Sequence, residues 1–445
     1  MIMDYSFNTF RNFAVCSLFL LLPSCVSDRE KESVLAGTEV DAFLADKPAQ
    51  LRDHLIVYKA QGRRNQVLNA DRIGLASMEL KDLKLARLMF DAAVNGIESI
   101  YANTPEAQLA RSNFFKEAVK DFKGDPYERS MTFYYSGLLY LMNGDHENAG
   151  AHFLGGFIQD SMSMDDQFNA DFSSLVFLQG WAAHCGGKKE AAQEHFQKAK
   201  LLNPKLPIPK ETDNLLVVAE TGLAPIKYSS GVDDVPNVRV IKLRKGGGNY
   251  TPHVQLPPLQ GNDAQMEEAE DLYFQASTRG GRAFDALLAG KATVKSALET
   301  VSTAAGVGAA AGGVVAATAL TTGHKDNANA AGIFALGALA VSLSSRLAAN
   351  NVEVDADARY WDNLPQKLFI KTITDKNSKV VNVNFYDEKN FLKESKSTNI
   401  YWAGTCGIAW LRSQSAFPTS PRAPYSISGD TTTKPLLTKG NTDTQ

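Results

Sequence analysis

The chain has 445 residues, a length that favours two or three domains, because a single core seldom covers so many residues. Hydrophobic residues make up 44% and charged residues 21% of the sequence, which is typical of globular proteins and excludes a wholly disordered or fibrous chain. The formal net charge of -3 argues against nucleic acid as a partner, because that binding needs a concentrated basic surface.

The N-terminus has the layout of an export signal. An apolar run, Ser17–Leu22, follows Arg11 and ends just before Cys25. This layout predicts a signal peptide over residues 1–24, and the run is too short to span a bilayer stably. The alternative is an ordinary N-terminal helix, which we disfavour because the polar residues 27–32 follow almost at once.

Residues Leu22–Cys25 resemble the bacterial lipobox. The resemblance implies that Cys25 becomes the mature N-terminus and carries a covalent lipid, and we expect no other cofactor. By the sorting rule that comes with this resemblance, Val26 and Ser27 after the cysteine favour the outer membrane. We therefore predict that residues 25–39 form a lipidated tether, with the protein anchored to the outer membrane and facing the periplasm.

Four cysteines reduce to two in the mature body, because Cys16 leaves with the signal and Cys25 is acylated. The remaining pair is Cys185 and Cys406. An oxidising periplasm would allow them to form a disulfide, but they lie in different predicted domains. We expect two separate buried thiols, with a bridge as the less favoured alternative.

Three copies of a pattern of small residues and one phenylalanine mark the region 40–210. The copies are Gly74, Ala86, Phe90 and Ala93; Gly137, Ala149, Phe153 and Gly156, with Tyr140; and Gly180, Ala192, Phe196 and Ala199. The pattern resembles the tetratricopeptide repeat, a helix-turn-helix unit in which small residues allow close helix approach and the aromatic ring fills the groove between helices. An insertion near 95–123 makes the array irregular, and we predict a helical solenoid.

Local signals agree with helical hairpins. Gly144 and Gly187 are expected to break helices. Asp125 is placed as an N-cap, with Pro126 at the first helical position and Glu128 completing a capping box.

In the second half of the sequence, short β-type runs predict a smaller domain over residues 211–412 that contains a β-sheet. Strands are predicted at 215–218, 238–241, 368–370, 380–385 and 399–402. The pattern of residues 263–288 predicts a helix. On this helix the acidic side chains should face solvent: Glu267, Glu268, Glu270 and Asp271. The tail 413–445, rich in Ser, Thr, Pro and Gly, should be disordered. The predicted fold class is therefore α+β, mainly α.

An Ala/Gly-rich segment, 301–349, holds two runs of small and apolar residues. Gly308 and Gly312 have the spacing that lets membrane helices pack closely. However, Ala and Gly contribute little transfer energy, and Arg346 lies inside the second run. We favour a helical hairpin that covers the sheet, with bilayer entry or an oligomeric pore as the alternative.

No motif identifies a catalytic or metal centre. The glycine-rich stretch Arg244–Asn249 is followed by neither Gly-Lys-Ser/Thr nor a helix, which favours a solvent loop over a phosphate-binding loop. His152 and His195 occupy equivalent repeat positions without metal-ligand spacing. The aromatic run 133–135 is expected to pack within the repeats.

The lipobox, the repeats, the Ala/Gly-rich segment and Asp357–Pro365 together resemble an uncharacterised family of proteobacterial lipoproteins with tetratricopeptide-like repeats, over about residues 25–410. This resemblance supplies no activity. Because solenoids bind through concave surfaces, we predict a non-catalytic scaffold of the cell envelope that holds an envelope protein or peptide in its repeat groove. The alternatives are an envelope enzyme that acts on cell-wall material, or a membrane-inserting pore component.

Overall fold

The computed structural model describes residues 33–100, 121–122, 124–161, 171–232, 235–246, 251–257, 264–280, 358–376, 378–413 and 425–428. Within these ranges the chain is α+β, as predicted, with helices in the first part and mixed sheets in the second. The predicted signal peptide, Cys25 and the hairpin 301–349 lie outside the described residues.

Eight helices of two or more turns occupy the first part. They are α1 (Gly37–Leu44), α2 (Arg52–Gln61), α3 (Gln66–Glu79), α4 (Leu83–Ile100), α5 (Pro126–Met142), α6 (His146–Ser161), α7 (Ser173–Cys185) and α8 (Lys189–Leu202). Helix α3 pairs with α4, α5 with α6 and α7 with α8, and contacts from α4 to α5 and from α6 to α7 join successive hairpins. No described helix combines the length and apolar character needed to cross a membrane.

The predicted helix boundaries inside the hairpins are confirmed. Gly144 and Gly187 adopt positive φ angles of 77° and 74°, which glycine tolerates without steric cost, and each follows the end of a helix. At the start of α5, the Asp125 N–H donates to Glu128 Oε2 at 2.7 Å, and Pro126 is the first helical residue.

Thirteen strands, one short α-helix and two 3-10 helices, Ala49–Leu51 and Gly62–Asn65, complete the described elements. The strands are β1 (Ser33–Ala36), β2 (Leu215–Thr221), β3 (Ile226–Val232), β4 (Val235–Arg244), β5 (His253–Leu256), β6 (Ala264–Gln265), β7 (Glu267–Asp271), β8 (Lys367–Ile373), β9 (Val380–Tyr386), β10 (Leu392–Asn399), β11 (Tyr401–Ala403), β12 (Cys406–Arg412) and β13 (Tyr425–Ser428). Helix α9 (Leu272–Gln275) continues into a π-helical turn, Ala276–Gly280. Each predicted strand is confirmed, although 399–402 spans the junction of β10 and β11.

A five-stranded sheet, ordered β11-β12-β2-β8-β7, forms the middle layer of the molecule. Successive side chains of a strand point to opposite faces. Leu216, Val218, Ile370 and Trp410 belong to the hydrophobic cluster of the helices. Leu215, Val217, Phe369 and Leu411 join a second cluster with Val383 and Phe385 of the four-stranded sheet β10-β9-β5-β6. Because both faces are covered, β2 is buried at every position.

One hydrophobic cluster runs from α1 through α8 to the helix-facing side of this sheet. The change from helices to strands falls between Leu202 and Leu215, close to the predicted boundary between 210 and 211. The two predicted domains therefore share a core across that boundary.

The prediction that the acids of 267–271 lie on a helix was wrong. They form β7, which pairs antiparallel with β8 and has a bulge between Glu268 and Glu270. The strand is an edge of the sheet, where charged side chains discourage further pairing. Lys371 Nζ lies 2.7 Å from Glu267 Oε1, so cross-strand partners, which periodicity does not reveal, stabilise the strand.

The two ends of the described chain meet. Tyr425–Ser428 pairs in parallel with Ser33–Ala36, with Ser33 opposite Tyr425. These four residues therefore differ from the disordered tail predicted over 413–445, because a strand far away in sequence supplies their backbone hydrogen-bond partners.

Cys185 and Cys406 form a disulfide, with Cα atoms 5.7 Å apart. The expectation of separate thiols was wrong, because packing of the helices on the sheet brings the end of α7 to the start of β12. The bridge joins the helical layer to the sheet across 221 positions of sequence.

Replacing both cysteines by serine should lower the free energy of unfolding by up to about 5 kcal/mol, because the bridge restricts a long loop of the unfolded chain. Denaturant unfolding measures this loss. Reductant should shift the midpoint of the unmodified protein and leave that of Cys185→Ser/Cys406→Ser unchanged. An unmodified protein that is insensitive to complete reduction would contradict the prediction.

Candidate functional site

Each repeat copy places its glycine against its phenylalanine. A methyl group added at Gly180 would lie 2.7 Å from Phe196 Cδ1, closer than carbon atoms can approach without displacement. The same arrangement joins Gly74 to Phe90 and Gly137 to Phe153. The glycine on the first helix of each hairpin therefore makes room for the aromatic ring of the second helix.

The other pattern residues also lie between helices. Five alanines are at most 2% exposed: Ala86, Ala93, Ala149, Ala192 and Ala199. The Tyr140 ring packs against the His152 ring, with centroids 4.7 Å apart, and Arg87 Cζ lies 3.6 Å from the Tyr140 centroid. These residues pack the helices together.

The first helices of the hairpins are covered by the rest of the chain. In α5 every residue except Tyr140 is buried, and in α7 every residue from Ser173 to Ala182 is buried. The covering layer is the five-stranded sheet together with residues 358–366. This part of the repeat surface, where a partner groove was predicted, is thus occupied within the chain.

A buried ion pair holds the sheet against α5. Glu220 and Arg412 are neighbours across β2 and β12, and Arg412 Nε lies 3.2 Å from Glu220 Oε2. Tyr135 donates its hydroxyl proton to Oε2 at 2.9 Å, and Tyr134 donates to Oε1 at 3.3 Å. Trp410 Nε1–H donates to Oε1 at 2.8 Å. The carboxylate therefore receives four donors, two of them from α5.

Burial governs the titration of this cluster. It raises the pKa of the Glu220 carboxyl, and the Arg412 guanidinium together with the donated hydrogen bonds opposes that rise. Burial, reinforced by the nearby carboxylate, raises the pKa of Tyr134 and Tyr135 well above the usual value. The tyrosines consequently remain proton donors, and the cluster has the character of a structural anchor.

Sequence inspection overlooked Glu220 and Arg412, although a signal was present. Each is a single charge at the end of an apolar strand, and the two charges are opposite. Charges in such positions are seldom buried unless they are paired. Their pairing could have been inferred, whereas their contact with Tyr134 and Tyr135 required the packing of the layers.

The segment around Trp361 connects α3, α5 and the sheet. The Trp361 N–H donates to Glu128 Oε1 at 2.6 Å, and its indole N–H donates to Asn363 Oδ1 at 2.6 Å. Arg72 Nε donates to Asp362 Oδ1 at 2.6 Å. Arg412 Nη1 donates to the Asn363 carbonyl oxygen at 2.8 Å. Trp361 and residues 363–366 of this segment are buried.

Lys227 of β3 is buried against the start of α5. Its Nζ lies 2.8 Å from Asp125 Oδ2 and 3.6 Å from Glu128 Oε2. Burial raises the pKa of Glu128, and Lys227 opposes the rise. The pair of acids at the helix N-terminus thus anchors the β3–β4 hairpin to the helical layer.

A third acid, Glu270 of β7, meets the start of α7. Glu270 Oε2 accepts from the Ser174 N–H at 3.3 Å and lies 3.3 Å from the Ser174 hydroxyl. Gln275 Nε2 donates to Glu270 Oε1 at 2.7 Å. Burial raises the pKa of Glu270 to about 8, although these hydrogen bonds favour its ionised form. Glu270 therefore couples α7, β7 and α9 through a carboxyl that is largely neutral near pH 7.

A cleft of about 360 Å³ lies beside the end of β8. It is lined by Pro207, Ile208, Lys210, Asp213, Lys371, Thr372, Ile373 and Thr374. Asp213 Oδ2 accepts from the Lys210 N–H and from Thr372 Oγ1, each at 3.0 Å, while Lys371 pairs with Glu267. Asp213 and Lys371 at this cleft are therefore engaged in local hydrogen bonds and an ion pair that fix the chain.

The candidate metal ligands considered in the sequence are separated. His152 packs against Phe133 and Tyr140. A further histidine, His184 of α7, has its Nε2 2.8 Å from the Asp213 carbonyl oxygen. Among the described residues, no group of three His, Cys, Asp or Glu side chains is placed to hold a metal ion.

The second helices present aliphatic side chains to solvent. Leu88 of α4 is 54% exposed, Leu154 and Ile158 of α6 are 47% and 44% exposed, and Leu201 of α8 is 84% exposed. Ile158 and Leu201 hold the same position in their repeat copies, five residues after Phe153 and Phe196. We call these four aliphatic residues the outer face of the repeats.

Comparisons with protein-family models, with curated proteins and with solved structures found no match for this chain.

The close contact between Gly137 and Phe153 predicts that Gly137→Ala lowers the free energy of unfolding by about 1–3 kcal/mol, because the added methyl group overpacks the hairpin. Gly150→Ala is the matched control. Its methyl group would meet only Ala182 Cβ, at 3.9 Å, so higher helix propensity should stabilise it by up to about 1 kcal/mol. Denaturant unfolding compares the two, and equal effects of the same sign would refute the packing role.

The raised pKa of Glu270 predicts a pH-dependent stability. Below its usual value of 4.5 the carboxyl is protonated in both states; between that value and about 8 only the unfolded chain loses the proton. Glu270 should therefore lower stability by about 1.4 kcal/mol per pH unit across this window. Unfolding titrations should show that Glu270→Gln makes the decline of stability with pH less steep by this amount, whereas Glu211→Gln, at an exposed position, leaves the decline unchanged. Equal slopes in all three proteins would exclude a neutral Glu270.

Proposed function

We propose that the protein is a non-catalytic scaffold lipoprotein of the outer membrane. Cys25 carries its lipid anchor, and its tetratricopeptide-like hairpins bind a partner protein in the periplasm. The observation that carries the proposal is the outer face, where four large aliphatic side chains are exposed on the second helices of the repeats. Leu154 and Ile158 are exposed one turn apart on α6, and exposed apolar patches are typical of protein interaction sites.

The Cys185–Cys406 disulfide supports export. Stable disulfides are rare in a reducing cytoplasm and common in the periplasm. This bridge links two layers of the fold across 221 sequence positions, which suits a structural rather than a transient role. It supports the same location as the lipobox-like Leu22–Cys25, from an independent part of the chain.

The tetratricopeptide-like assignment rests on the three Gly–Phe contacts in one register. In this chain the first helices face its own sheet, so we place the partner on the outer face instead of in the groove. Leu154 and Ile158 lie one turn apart on α6 and provide the centre of the surface. The partner that fits is a protein with a complementary aliphatic patch, because burial of such side chains supplies the binding free energy.

The alternative is an envelope enzyme, whose active site would lie in the cleft beside β8. Lys210, Asp213 and Lys371 line this cleft. Asp213 already accepts hydrogen bonds from Lys210 N–H and from two threonine hydroxyl groups. These contacts favour a structural role for Asp213, and the outer face carries the proposal.

The proposal is tested in cells with the full chain, by placing a photo-crosslinking residue at Leu154 or at Ile158. Both positions should yield an adduct of the same size in the membrane fraction. The matched control is Phe391, which is 65% exposed on the other side of the sheet and should not yield that adduct. In the same cells, fractionated in high salt so that electrostatic contacts with headgroups are screened, Cys25→Ala should move the chain from the outer-membrane pellet to the soluble periplasmic fraction.

The two parts of the proposal fail separately. Absence of a common adduct at Leu154 and Ile158 would exclude the outer face as a partner surface. A Cys25→Ala chain that stays in the outer-membrane pellet would exclude the lipid as its anchor.

A further inference from the structure

Three exposed cationic side chains lie at the base of the β3–β4 hairpin, away from its turn. Lys242, Arg244 and Lys245 are exposed, and no described acidic side chain forms an ion pair with them. The sequence drew attention to this stretch only because glycines follow it. We call these three cations, with Tyr228 and Tyr273, the basic patch.

The register of the hairpin places Lys242, Arg244 and Tyr228 together. Tyr228 lies opposite Lys242 and Ile226 lies opposite Arg244, so Lys242, Arg244 and Tyr228 share one face of the ribbon. Tyr228 is 40% exposed on that face. Lys245 Nζ lies 5.5 Å from the centroid of the Tyr273 ring, which extends the surface onto α9.

The base of the hairpin is fixed to the body of the protein. On the opposite face of the ribbon, buried Lys227 pairs with Asp125 and Glu128. A side chain at Gly246 would overlap the carbonyl oxygens of Leu223 and Ala224, so the backbone approaches closely at this point. The charge on the inner face is therefore compensated within the protein, whereas the charge on the outer face is displayed to solvent.

A series of contacts links the basic patch to the tethered end of the chain. Strand β1 contacts α2. Just after α2, the carbonyl oxygen of Arg64 and the side chain of Asn65 accept from Arg359 Nη1. The positive charge of Arg244 in turn opposes the rise that burial causes in the pKa of Tyr360, the next residue. From Cys25 to Ser33 the chain can span at most about 28 Å.

We propose that the basic patch binds the anionic phospholipid headgroups of the leaflet in which the Cys25 lipid is anchored. This inference rests on the proposed lipid anchor, which holds the protein at the leaflet that carries those headgroups. Each cation near an anionic membrane surface increases binding about fivefold, and tyrosine rings are favoured at the headgroup level. A lipid chain combined with a basic surface holds a protein on a membrane in a defined orientation.

The test uses the full mature chain with Cys25→Ala, so that acylation does not contribute. Its binding to phosphatidylcholine vesicles is compared with its binding to vesicles that also contain one-third phosphatidylglycerol, by cosedimentation at low salt. The chain should bind the anionic vesicles and not the neutral ones, and added salt should weaken binding. Lys242→Gln/Arg244→Gln/Lys245→Gln should reduce the partition coefficient about a hundredfold.

The matched control is Lys189→Gln/Lys198→Gln/Lys389→Gln, which removes the same charge from exposed positions outside the basic patch. This control should bind like the unsubstituted chain. Tyr228→Ser, which keeps every charge, should reduce binding severalfold and provides a second measurement if the triple variant does not fold.

Absence of binding to anionic vesicles, or equal binding by the two triple variants, overturns the inference and leaves an acidic protein as the partner to consider. Either result leaves the anchor itself untouched, because Cys25→Ala fractionation tests it independently.

Discussion

The buried pair of Glu220 and Arg412 is the interaction on which the layered arrangement depends. Removing two charges from water costs several kcal/mol for each ion, and attraction alone rarely compensates. Here Tyr134, Tyr135 and Trp410 donate to the carboxylate, and the Asn363 carbonyl oxygen accepts from the guanidinium. Because these partners come from α5, β12 and residues 358–366, the hydrogen bonds form together only when the sheet is seated correctly on the helices.

Polar contacts recur wherever a first helix of a hairpin meets the second half of the chain. Arg72 of α3 pairs with Asp362, the N-terminus of α5 holds Lys227, and the N-terminus of α7 receives Glu270. Apolar burial supplies most of the stabilisation but does not select one orientation of two packed layers. The directional hydrogen bonds at these three places select one orientation. The Cys185–Cys406 bridge adds a covalent link between the same layers.

This arrangement determines which surfaces can bind partners. With the first helices covered, the second helices remain as the accessible part of the described repeats, and their exposed leucines and isoleucine form the outer face. The opposite charges that join the layers are compensated inside the molecule. The basic patch is different, since its cations face solvent, and it is therefore available to a charged surface outside the protein.

The sequence by itself determined the features that depend on neighbouring residues or on a regular period. It predicted the Gly–Phe pairs, the helix breaks at Gly144 and Gly187 and five of the thirteen described strands, because side-chain size, backbone freedom and alternation act over a few residues. Tertiary structure alone decided the pairing of Cys185 with Cys406, the strand at 267–271 and the filling of the repeat surface. Each of these is stabilised by partners distant in sequence, whose positions follow from the packing of whole layers and leave no local pattern.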